Sequence, residues 1–174
     1  IMKNILLVFL SFFVLINLSF AESSNSIENA KKEKIPINIT SDKLIAQENI
    51  GLYTFTGNVV AKRKDATLYA DKMDVYKDLK TGDVSKIVCI GNVVITQPNK
   101  LAKANEGIYE LKDQKVTLIG NAYVKSDKNV IKSDMIVYYL DKKYAVAQGS
   151  KSERVDVTIY PNEKQTSNQT KETK

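Results

Sequence analysis

Between residues 35 and 160 the chain alternates apolar and polar side chains with a period of two. Four residues before a recurring glycine stand Tyr53, Ile87, Val116 and Ala145, and two before it stand Phe55, Cys89, Leu118 and Ala147. Two after it come Val59, Val93 and Ala122, and four after it Ala61, Ile95 and Val124. The columns between are more polar, as at Lys62, Thr96 and Lys125. Period two marks a strand with one buried face, and helical spacing does not fit. Val, Ile, Thr and Tyr dominate the columns, which suits a pleated sheet.

The glycines define a repeat. Gly57-Asn58, Gly91-Asn92, Gly120-Asn121 and the weaker Gly149-Ser150 recur at spacings of 34, 29 and 29, and Asp42, Asp71, Asn105 and Asp134 recur at 29, 34 and 29. The unit is therefore 29 residues long, with one five-residue insertion in the Lys-rich stretch 77–86. The inward phase continues past each landmark, through Ile37 and Ile39, Leu68 and Ala70, Met73 and Val75, Tyr109 and Leu111, and Ile131, Ile136, Tyr138 and Leu140. The Asx column falls where the phase changes, so each member is expected in a turn. The Gly-Asn pairs are expected at bends, where a missing Cβ lets the backbone kink. About four short strands per unit gives an all-β fold of about sixteen antiparallel strands. These columns fit an open sandwich and a three-sided β-helix equally well.

Composition narrows the chemistry. The chain has 174 residues, no His, no Trp and one Cys. Without His there is no Ser-His-Asp triad, no Cys-His pair and no imidazole proton shuttle. A single Cys89 forms no intramolecular disulfide and no Cys-rich metal site. Its place in the inward column reads as a small buried hydrophobe. The aligned Asp residues raise the question of paired catalytic carboxylates or calcium ligands. Asn105 replaces one of them and no dense acidic run surrounds any, so turn chemistry is the expected role. Lys62-Arg63-Lys64 and Lys142-Lys143 read as solvated loop surface, with an anion-meeting rim as the other reading. Nothing calls for a metal, a cofactor or a nucleic acid partner.

The ends differ from the middle. Lys3, the apolar run 5–18 and the small residues of Ser19-Phe20-Ala21 form a secretory signal pattern, with cleavage expected after Ala21. An uncleaved membrane anchor is the rival. Its loss removes one positive charge from a formal net charge of +6. Residues 22–34 read as a flexible leader and 161–174 as a disordered polar tail. The fold is thus assigned to 35–160.

FTGNVV (55–60), YADKMDVY (69–76), EGIYEL (106–111), LIGNAYV (118–124) and IKSDMIVYYL (131–140), with PINITSDKL (36–44) before them, resemble the OstA-like domain family over essentially this whole region. The resemblance implies a sixteen-stranded antiparallel β-jellyroll, open at both ends and folded as a twisted V. It implies a periplasmic protein that binds the lipid A part of lipopolysaccharide between its sheets. It also implies head-to-tail stacking that joins inner-membrane to outer-membrane lipopolysaccharide transport complexes. The groove residues expected on this basis are Ile37, Ile39, Phe55, Val75, Ile95, Tyr109, Leu111, Leu118, Ile136 and Tyr138. The sheet edges expected to pair between copies are a first strand 35–40, with Ile37 and Ile39, and a last strand 154–160, with Val155, Val157 and Ile159. Family members often carry a glycine-rich loop where this chain has its insertion. Two rivals stand: a relative of the same fold anchored in the inner membrane by an uncleaved N-terminal helix, and a polysaccharide-cleaving β-helix enzyme.

Overall fold

A computed structural model describes residues 36–161. The expected signal segment, the leader and all of the expected tail except Pro161 lie outside the described residues. Ten strands form one antiparallel sheet: β1 Asn38–Thr40, β2 Lys43–Gln47, β3 Leu52–Arg63, β4 Ala66–Lys77, β5 Val84–Gln97, β6 Lys100–Glu110, β7 Lys115–Ser126, β8 Asn129–Tyr139, β9 Tyr144–Gln148 and β10 Asp156–Thr158. The six long strands pair in sequence order. β1 and β2 both pair β3 at one edge, and β9 and β10 both pair β8 at the other. The sheet does not close on itself.

The count of ten replaces the expected sixteen. Each long strand runs through a bend instead of ending there, so one strand contributes two arms. Six long strands of two arms and four short strands of one make sixteen arms, eight on each side of the bend. Wall I holds β2, β9 and the arms 52–56, 72–77, 84–90, 106–110, 115–119 and 135–139. Wall II holds β1, β10 and the arms 59–63, 66–70, 93–97, 100–104, 122–126 and 129–133.

The bend is a row of bulges. Register slips between Thr56 and Val59, between Ile90 and Val93, and between Ile119 and Ala122. At each slip a Gly-Asn pair opposes a single residue, Asp71, Asn105 or Asp134. Gly91 has φ +78° and Asn92 φ +47°. Two successive left-handed residues turn the strand without breaking the ladder on either side. The Asx column is therefore not a set of strand-ending turns. Asp42 alone sits at a corner between strands, where its N–H donates to the Gly57 carbonyl at 2.9 Å, while Asp71, Asn105 and Asp134 lie within β4, β6 and β8.

Registers persist across each wall. In wall I, Gln47, Leu52, Tyr76, Lys86, Glu110, Lys115, Tyr139 and Tyr144 are successive partners from one edge to the other. In wall II the same holds for Thr40, Val60, Tyr69, Val94, Lys103, Tyr123, Lys132 and Asp156. Two-residue loops close the free ends of wall II. One of them, Pro98-Asn99, has the proline-first, positive-φ-second chemistry of a type II turn.

Both outer strands are shorter than the sequence suggests. β1 begins only at Asn38, opposite Lys62, and β3 ends one residue further on, at Arg63. On the other side the Tyr160 N–H donates to Asn129 Oδ1 at 2.9 Å, which takes the chain off the backbone ladder after Thr158. No helix among the described residues is long and apolar enough to cross a membrane.

Candidate functional site

The candidate site is the space between the two walls. Counting outward from the bend, wall I presents a first inner row of Leu44, Phe55, Met73, Cys89, Gly107, Leu118, Ile136 and Ala147. Its second row includes Tyr53, Val75, Ile87, Tyr109, Val116 and Tyr138. Wall II faces them with Val59, Ala61, Leu68, Ala70, Val93, Ile95, Ala102, Ala104, Ala122 and Val124, and the buried members of both sets form one cluster, with Tyr53, Phe55 and Ala147 packed against it and Leu44 exposed at the edge. Alternation places these side chains inside because successive Cβ atoms point to opposite faces of a strand.

Most of the residues singled out for the groove lie in this cluster. Tyr109 is 0% exposed and, with Tyr138, is among the largest fully buried side chains; Val75, Ile95, Leu118 and Ile136 are buried too. Ile39, Phe55 and Leu111 are partly buried and pack against it, Leu111 just beyond β6 at the free end of wall I. Ile37 lies before β1 and is 40% exposed, so it sits at the edge of this copy and outside its interior. Val155, Val157 and Ile159 are all exposed at the opposite edge, with Val157 alone inside a strand.

Among the described residues the middle of the interior is tightly packed. A cavity of about 10 Å³ remains between the walls, lined by Leu68, Val93 and Ile95 from wall II and Ile87, Cys89, Gly107, Val116 and Leu118 from wall I. That is barely room for one water, so an acyl chain enters only if the walls part. Gly107 marks the place: it stands in the inner row between Cys89 and Leu118, and a Cβ there would lie 3.4 Å from Val93 Cγ1 across the gap. A wider hollow of about 460 Å³ lies on the outer face of wall II, among Asn92, Leu101, Lys103, Asn121 and Tyr123. One wall alone lines it, so it does not enclose a ligand on two sides.

Titration follows burial. Desolvation, with a smaller contribution from the Asp74 charge, pushes the Cys89 thiol up to about 12. Burial likewise raises the Tyr138 hydroxyl. The Asx column has structural work: Asn58 Nδ2 donates to Asp42 Oδ2 and Asn92 Nδ2 to Asp71 Oδ2, each at 2.9 Å, and Asn121 Nδ2 reaches Asn105 Oδ1 at 3.5 Å.

Two inner residues escaped the sequence reading. Arg63, whose place in a basic run suggests solvated loop surface or an anion-meeting rim, is 5% exposed and buried. It shares the parity of Val59 and Ala61, so extending the inward column by one more position finds it. Gly107 shares the parity of Tyr109 but has no side chain to register as apolar.

Comparison with known proteins agrees with this geometry. Residues 38–144 match the family described as LptA/(LptD N-terminal domain) LPS transport protein. The lipopolysaccharide export system protein LptA of Escherichia coli K12 is 31% identical over 141 residues, covering 76% of this chain and 75% of that protein. The protein of the same name from Haemophilus influenzae is 27% identical over 137 residues, covering 75% and 80%. The crystal structure of LptH, the LptA homologous periplasmic component of the lipopolysaccharide transport device of Pseudomonas aeruginosa, superposes with a TM-score of 0.62. It is 20% identical and covers 74% of this chain and 97% of that one. The bulged two-wall sheet is therefore a fold already seen in such a protein, and this chain belongs to the LptA/(LptD N-terminal domain) LPS transport protein family.

Proposed function

We propose that this chain is a periplasmic carrier that shelters the acyl chains of lipopolysaccharide between its two walls on their way from the inner to the outer membrane. The observation that carries the reading is the continuous apolar interior, which runs from the β1/β2 edge to the β9/β10 edge. Each CH₂ moved from water into such an interior contributes about 0.8 kcal/mol, so several chains offset the parting of the walls. The reading asks for no covalent chemistry in the chain: the Asp42 and Asp71 carboxylates that raised the enzyme alternative accept amide hydrogen bonds at the bend. The names of its relatives support the ligand.

Assembly follows from the edges. Exposed Leu44 and Ile45 lie on one rim and exposed Tyr144 and Val157 on the other. β2 and β9 run in opposite senses, as do β1 and β10, so a second copy adds head to tail as an antiparallel continuation of both walls. Continuing the observed rows would set Val146 against Ile45 and Ala147 against Leu44 in wall I, and Val157 against Ile39 in wall II. Such a contact is heterologous and does not close, and it offers the same edges to jellyroll subunits of the membrane complexes.

A photo-crosslinker tests the carrier reading. Placed at Phe55, Tyr109 or Leu118 it should label lipopolysaccharide during transport, and at Lys62, on the outer face, it should not. Equal labelling at all four positions would sink the proposal.

A further inference from the structure

The inner face of wall II changes character along its length. Its first two rows from the bend are apolar but for Ser133, yet the third, at the free end, reads Arg63, Ala66, Gln97, Lys100, Ser126 and Asn129. Arg63 pairs Ala66, Gln97 pairs Lys100, Lys100 pairs Ser126, and Ser126 pairs Asn129, so the six lie on one line across the wall. Arg63 and Ser126 are buried, and Gln97, Lys100 and Asn129 are half-buried. The line holds two cations and no carboxylate; Asp65 and Asp127 stand beyond it in exposed hairpin loops. The third inner position of wall I is mixed, with Leu111 and Leu140 on the same row as Ser85, Gln114 and the exposed Lys77. The walls are joined at the bend, so these free ends form the mouth of the V.

We infer that Arg63 and Lys100 hold phosphate groups of the bound amphiphile at the mouth of wall II, with its acyl chains directed toward the bend. This rests on the carrier reading and adds the headgroup contact and its polarity. A guanidinium on this polar line suits a phosphate, whose oxygens accept its planar donors in pairs. Lys100 lies three strand spacings away, about 14 Å, so the two cations meet separate phosphates of one headgroup rather than a single ion. Gln97 and Ser126 place polar atoms along the same line, and the Asp127 N–H donates to the Asn99 carbonyl at 2.8 Å, holding two of the hairpins at the mouth together.

The test uses the whole folded protein and two glycolipids, lipid A carrying both phosphates and the same molecule dephosphorylated. Wild type should bind the phosphorylated form at least about tenfold more tightly. Arg63→Gln should remove most of that preference while affinity for the dephosphorylated form stays within about twofold, and Lys100→Gln should act in the same direction. Arg63→Lys should restore part of it. A wild-type ratio near one, which needs no variant, overturns the inference, as does an equal loss for both ligands. Displacement of the glycolipid by inorganic phosphate at like concentration would assign the cations to free phosphate and overturn the headgroup contact. Failure of wild type to bind either form would sink the carrier reading itself, and this inference with it.

Discussion

Asn92 reaches across the sheet to Asp71, its Nδ2 donating to the carboxylate at 2.9 Å over a separation of 21 residues. The carboxylate sits where a Cβ on Gly91 would have to go. One hydrogen bond thus depends on a missing side chain next door. The same clasp joins Asn58 to Asp42 beside Gly57, and the set of clasps is what folds a flat sheet into two walls.

Gly91→Ala should therefore destabilise by about 1–3 kcal/mol, since it combines a left-handed φ with a collision against Asp71. Asp71→Asn should cost under about 1 kcal/mol, because Asn105 already accepts the equivalent bond at its own bulge. Urea unfolding of the two variants checks both, and an unchanged midpoint for Gly91→Ala would refute the clasp as the origin of the bend.

Gly107→Ala should do the reverse. Its new Cβ meets Val93 and Leu118 at 3.4 and 3.7 Å, ordinary contacts, and fills the small cavity. Removing a strand glycine should raise stability by about 0.5–1 kcal/mol. Glycolipid binding should weaken at the same time, because the walls lose their slack. A variant more stable by urea unfolding and unaltered in binding would show that the walls part elsewhere.

Cys89 should resist thiol reagents at pH 8 in the folded protein and react at once in urea. Its folded pKa, about 12, lies above the ordinary thiol value of 9.0. The unfolded thiol thus releases its proton first as pH rises. This contribution to stability is complete below pH 9 and is lost between pH 9 and 12, at up to about 1.4 kcal/mol per pH unit. Urea midpoints at pH 8 and 10.5 should fall less for Cys89→Ala than for wild type. Equal falls would mean the thiol is not the titrating group.

Charge on an edge should block assembly and spare the fold. Ile45→Lys and Val157→Lys each place an ammonium on an exposed outer strand, the device by which natural sheets avoid pairing. Sedimentation should show less self-association for either variant, with monomer stability changed by less than about 0.5 kcal/mol. Association as strong as wild type in both would refute pairing through these strands.

The sequence reveals the inner rows because parity is strict: Phe55, Cys89 and Leu118 recur two residues before a glycine, and all face the interior. It reveals the bend through the same glycines. It does not reveal that strands cross the bend unbroken, since a Gly-Asn pair looks alike at a hairpin and in a bulge; only the backbone partners on either side tell them apart. Nor does it reveal Arg63, whose charge argues for solvent while its parity argues for the interior, and here parity prevails. The expected last strand reaches too far because the alternation of Val155, Val157 and Ile159 runs past both ends of the ladder, which pairs only Asp156–Thr158 before Asn129 takes the Tyr160 N–H.

The rows that run in register from edge to edge of each wall have a consequence at larger scale. Eight arms spaced about 4.8 Å apart give each copy a length of about 38 Å along the groove. A filament built on these edges therefore lengthens only in whole multiples of that step, and with every row continuing its neighbour, the lining meets no offset at a joint. Such a filament is a ruler as much as a conduit: the gap between two membranes can be bridged at discrete widths, and any remainder must be taken up by the partners at its ends.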